Sequence, residues 1–139
     1  MDFVFHDGGR VAAGYKGLTG DAANIKQGDD FLRAVIPAIM ASSAYKDHGA
    51  IIIWFDESEQ DSAADNPDDF SHSIPEIVIS SRVHDNVDGR PYASPIAYSH
   101  SSDLRTMQEL FRVGPFLGDA ANANDLSDLF KPGAIPKKP

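Results

Sequence analysis

Two adjacent carboxylates, Asp56 and Glu57, follow directly on the apolar run Ile51-Ile52-Ile53-Trp54-Phe55. A buried strand ending there would deliver both acids stiffly. In open α/β sheets, functional groups gather just past the carboxyl ends of strands. Side by side, the two can present oxygens to one divalent cation, which offsets their mutual repulsion. The alternative is that one caps a neighbouring helix while the other faces water. Seven of the chain's 21 acids lie between Asp56 and Asp69, with no Lys or Arg among them. That segment reads either as a solvated loop or as part of a cation site.

The second group is His100, within Tyr98-Ser99-His100-Ser101-Ser102-Asp103. A neutral imidazole there could ligate a metal, and a protonated one could bind a phosphoryl oxygen. The start of the helix that follows is itself favourable for anions. A histidine that only helps to cap that helix is the competing reading. His72 has the same ambiguity with less support, and His6 has no assigned place. His48 belongs to a helix end and His84 to a loop. A GxSxG elbow, an HExxH pair and thiolate ligands are all missing from the sequence.

The elements that must position these groups follow from periodicity. Residues 1–27 form a glycine-rich irregular lead, since six of the eleven glycines fall within 1–28. Their spacing matches no phosphate loop. Asp29 or Asp30 then caps a helix whose apolar face is Phe31, Leu32, Val35, Ile36, Ile39 and Met40. Pro37 should kink or restart it, and Asp47-His48-Gly49 ends it. Ala50 to Phe55 and Ile74 to Ser80 read as strands buried on both faces, the pattern of a parallel sheet. A long loop covers 81–99. Ser101 or Ser102 caps a helix carrying Leu104, Met107, Leu110 and Phe111 on one side, and Gly114-Pro115 stops it. A short helix over about 124–130 precedes a frayed tail, 131–139. The layering is α/β, with a core over 28–130.

Composition sets outer limits. The chain has 139 residues, enough for one domain, and 12 basic against 21 acidic residues, for a net charge of −9. That balance argues against a nucleic-acid partner, because phosphate neutralisation needs clustered Lys and Arg. No apolar run approaches the roughly 20 residues of a membrane span. The first residues carry no signal-peptide pattern.

In five segments the sequence resembles the bacterial phosphoesterase family that includes the phosphatidylcholine-hydrolysing phospholipases C and secreted acid phosphatases, within the alkaline-phosphatase superfamily. They are Gly28 to Leu32 with Ile36 to Ile39, Ala50 to Glu57, Ile74 to Ser80, Tyr98 to Thr106, and Gly114 to Ala120. The resemblance implies a partial alkaline-phosphatase-like sandwich, a mainly parallel sheet flanked by helices. It implies that Asp56 and Glu57 ligate a divalent metal ion of unknown identity, and that His100 acts in catalysis near the metal or the phosphate. The family's Glu-Asn metal pair and Ser or Thr nucleophile, which lie in its N-terminal half, match nothing here.

The chain is therefore expected to be the C-terminal part of a metal-dependent phosphoric ester hydrolase, inactive alone, with a phosphate ester as substrate. It would pair with a missing N-terminal half or form a homo-oligomer. The family is typically secreted or periplasmic. The alternative expectation is a non-catalytic truncated relative that binds a cation or a protein.

Overall fold

A computed structural model describes residues 14–56 and 73–136 of the chain. The chain divides into two compact units, 1–47 and 48–139.

The described part of the first unit is helical. Tyr15 and Leu18 close a tight turn through Tyr15 N–H to Leu18 O at 2.8 Å and Leu18 N–H to Tyr15 O at 3.0 Å. Gly14 enters it at φ 77°, and a Cβ there would sit 2.6 Å from the Leu18 carbonyl oxygen, so only glycine fits. Helix α1, Gly20–Ala41, follows with Thr19 as its N-cap. The helix thus begins ten or eleven residues before the sequence placed it. Asp29 and Asp30 are interior positions and not caps. Asp30 accepts from Lys16 and Lys26, and Asp29 from Arg33 at 2.9 Å. These cations hold the Asp30 carboxyl well below the usual carboxylate range. Such i,i+4 pairs lend helical support that the glycine-rich composition hid, each worth a few tenths of a kcal/mol (~0.3–0.5). Pro37 lies inside α1, which ends at Ala41. Helix α2, Ser43–Lys46, restarts with the Ser42 hydroxyl accepting from Tyr45 N–H at 3.2 Å.

The second unit holds a two-stranded sheet. Strand β1 is Ala50–Ile53 and β2 is Ile77–Ser80, paired antiparallel with Ile53 opposite Ile77 and Ala50 opposite Ser80. The expected parallel sheet is corrected here. An unbroken apolar run signals burial but carries no strand direction, and neither strand is buried on both faces. Ile77 is 52 % exposed, while Ile52 and Val78, opposite each other, pack on the core of Leu126, Phe130 and Ile135. The fold class is mixed α/β, with a small antiparallel sheet.

Helix α3, His100–Leu110, starts two or three residues before the expected position, with Ser99 as its N-cap. Ser99 N–H donates to Ser102 Oγ at 3.2 Å, and Ser102 N–H donates to Ser99 O at 2.8 Å. Its faces are reversed relative to expectation. Ser102, Asp103, Thr106, Gln108 and Glu109 are buried, whereas Leu104, Leu110 and Phe111 are exposed. The cause is the returning chain, which α3 ties down by polar bonds. Thr106 Oγ1 donates to Ser102 O at 2.8 Å and accepts from Leu126 N–H at 2.9 Å. Arg105 Nη1 donates to the Ala123 carbonyl at 2.8 Å, and Gln108 Oε1 accepts from Leu117 N–H at 3.0 Å.

Two 3-10 helices, Gly118–Ala121 and Leu126–Leu129, replace the single short helix expected near 124–130. Beyond them, Lys131 N–H donates to Arg82 O at 2.8 Å. Ile135, in the segment read as a frayed tail, is 5 % exposed within the core.

Candidate functional site

Strand β1 ends at Ile53, and Trp54, Phe55 and Asp56 continue outward to an exposed position. Across from them, the first residue of α3 is His100, whose exposed ring donates from Nε2 to the Phe55 carbonyl at 2.9 Å. One bond thus joins the end of the strand to the start of the helix. It brings His100 beside the residue preceding Asp56. Glu57, the other expected ligand, lies outside the described residues, as do His6 and His72.

The remaining histidines stand elsewhere. His48 follows α2's C-cap with φ 62° and lines an apolar cleft in the second unit. His84 stacks on Tyr92, with ring centres 4.6 Å apart. Tyr92 in turn donates to Asp128 at 2.8 Å.

Two acids that the sequence reading passed over lie behind His100. Glu76 immediately precedes β2 and, by strand alternation, shares a face with Val78, which packs on the core. Asp103, one helical turn from His100, is 7 % exposed. The two carboxyls meet: burial, reinforced by the Asp103 charge and by the bond between them, pushes Glu76 up from 4.5 to about 7. Burial also pushes Asp103 up, opposed by its bond to Glu76 and by the nearby His100. Glu76 Oε1 and Asp103 Oδ1 are buried without a hydrogen-bond partner when both groups are ionised. Among the described residues, no Lys or Arg forms an ion pair with either. A signal was available: an acid two residues from a core valine in a strand pattern, and another in the first turn of an amphipathic helix.

Among the described residues, no three His, Asp or Glu side chains are grouped to hold a metal ion. An apolar cleft opens in the second unit. About 410 Å³ in volume, it is lined by Ile52, Trp54, Met107, Leu110 and Phe111 among others. No helix among the described residues is long and apolar enough to cross a membrane.

The model of the Phosphoesterase family covers residues 13–114, well over half of the chain. The match takes in α1, both strands, Asp56-Glu57 and α3, and stops before the segment Pro115 to Ala120 and the 3-10 helices. No curated protein and no solved structure gives a significant match.

Proposed function

The chain belongs to the phosphoesterase family, and from that premise we propose that it serves phosphoric ester hydrolysis by furnishing one side of the reacting site. In this reading Asp56 and Glu57 hold a divalent cation, and His100 faces the phosphoryl group from the start of α3. The observation that supports it is the bond from His100 Nε2 to the carbonyl of Phe55, the residue before Asp56. A divalent ion held there would polarise the phosphoryl group for attack. Asp56 contributes fixed negative charge at the strand end. His100, exposed at the start of α3, can stabilise a phosphoryl oxygen. The attacking Ser or Thr, which the family resemblance matches to no residue of this chain, comes from outside it. The substrate belongs to the phospholipase C or acid phosphatase type.

Calorimetric titration with Mn²⁺, Zn²⁺ and Ca²⁺ tests the acid pair. A few oxygen donors without a full cage should bind weakly, with Kd above about 0.1 mM, and Asp56→Asn should abolish the heat. Equal binding by the native chain and the variant rejects the assignment. The isolated chain should turn over p-nitrophenyl phosphate little or not at all. Brisk, chelator-sensitive turnover would show that the nucleophile lies within it.

The apolar cleft favours a second reading, a non-catalytic relative whose exposed apolar side is covered by another protein or a second copy. Light scattering separates the two, because a clean monomer that binds no hydrophobic dye speaks against it.

A further inference from the structure

Ionised carboxyls buried against each other leave two oxygens with nothing to bond, and their charges repel. Glu76 Oε1 and Asp103 Oδ1 are such oxygens. One proton resolves both faults at once, since a protonated carboxyl donates to its ionised neighbour. We propose that Glu76 and Asp103 share a single proton between the lead-in to β2 and the first turn of α3, forming a latch that holds the His100-bearing turn and releases when that proton is lost.

The groups facing this pair come from three places. Glu76 arrives from the residues leading into β2, and Asp103 and His100 from α3. Tyr98, whose phenol is pushed up chiefly by burial, stands on the loop before α3. His100 opposes the rise of both acids without cancelling it, so the retained proton reflects the dry setting of the pair more than any single charge. Loss of the proton goes to solvent and leaves two like charges at the joint. The first turn of α3 is then repelled from the β2 lead-in, and the His100 bond to the Phe55 carbonyl loses its fixed backing. The latch rests on the proposed function only for what His100 does once held. The shared proton itself follows from the two acids alone.

The test uses the full chain and no phosphate ester. Carbon-13 NMR of side-chain carboxyls should show one glutamate titrating near neutrality and assign it to Glu76 by its loss in Glu76→Gln. If every glutamate titrates below about 5, as exposed ones do, the latch is rejected whether or not any variant folds. Thermal melts at pH 5.5 and pH 8 should show the native chain losing about 4–8 °C more than Glu76→Gln across that interval. Parallel losses overturn the proposal, and Asp103→Asn repeats the comparison from the other partner. The His100 ring resonances should report the same midpoint in the native chain and lose it in Glu76→Gln. A structural pair with no bearing on His100 would leave them unchanged. If the acids titrate as stated while Asp56→Asn leaves metal binding intact, the latch stands and the proposed function fails.

Discussion

Thr106 is completely buried and links two parts of the second unit through one oxygen. Its hydroxyl donates to Ser102 O at 2.8 Å within α3 and accepts from Leu126 N–H at 2.9 Å in the returning chain. Thr106→Val keeps the shape and removes both bonds. The Ser102 carbonyl loses little, because it sits four residues before Thr106 in the helix and keeps the backbone partner that spacing provides. The Leu126 N–H is different: Leu126 has no solvent exposure, so its donor is left buried without an acceptor. That costs about 1–3 kcal/mol, a large share of a domain's usual stability of about 5–15 kcal/mol. Thr106→Ser keeps the oxygen and loses one methyl group, about 0.8 kcal/mol. Urea unfolding followed by fluorescence of Trp54, the sole tryptophan, should shift its midpoint by about 1 M for the valine variant, with an unchanged slope. The serine variant should shift by less than half of that. If the two variants are equally stable, the Leu126 bond is not what joins the chain to α3.

Leu126→Ala empties the centre of the cluster it forms with Phe130 and Ile135 and should cost about 2–5 kcal/mol. The expected readout is loss of a cooperative thermal transition in the second unit. His100→Ala removes an exposed ring with one hydrogen bond and should change stability by less than about 1 kcal/mol, while weakening inorganic phosphate binding measured by calorimetry. A fall in melting temperature above about 5 °C would show that His100 is structural. Stability should also depend on pH with a definite sign. The Glu76 carboxyl is raised from 4.5 to about 7 in the folded chain, so between those values the folded state holds more protons than the unfolded one. Its contribution is complete below about pH 4.5 and is lost as pH rises through 7. Solvent around a half-buried carboxyl screens the effect to about 1–2 kcal/mol, and denaturant melts at pH 5 and pH 8 measure it.

Ala50 to Ile53 and Ile77 to Ser80 were legible as strands within the runs Ala50 to Phe55 and Ile74 to Ser80, because β-branched apolar runs bounded by turn residues admit little else. Their antiparallel pairing was not, since direction depends on a connection whose path no local pattern specifies. The start of α1 was obscured by Gly20 and Gly28, poor helix formers whose cost is shared by the Lys26–Asp30 and Arg33–Asp29 pairs. The face of α3 was misjudged for a related reason. Apolar periodicity through Leu104, Met107, Leu110 and Phe111 is a fair guide only when burial is apolar, and here Ser102, Thr106 and Gln108 are buried because they bind the backbone of the returning chain. In the candidate site, His100 and Asp56 could be named from residue type and position. Glu76 and Asp103 could not, because neither becomes unusual until the fold removes the water around both.

A carbonyl oxygen has no hydrogen to give, so the bond between the His100 ring and Phe55 settles which nitrogen carries one. When the imidazole is neutral, it is the Nε2–H tautomer, and its one remaining lone pair is on Nδ1. Any incoming electrophile must therefore approach from the Nδ1 side, which fixes the direction from which the ring can coordinate or accept a proton. Nitrogen-15 chemical shifts of His100 at high pH should carry the signature of that tautomer, in a ring held like a hinged plate by its far edge.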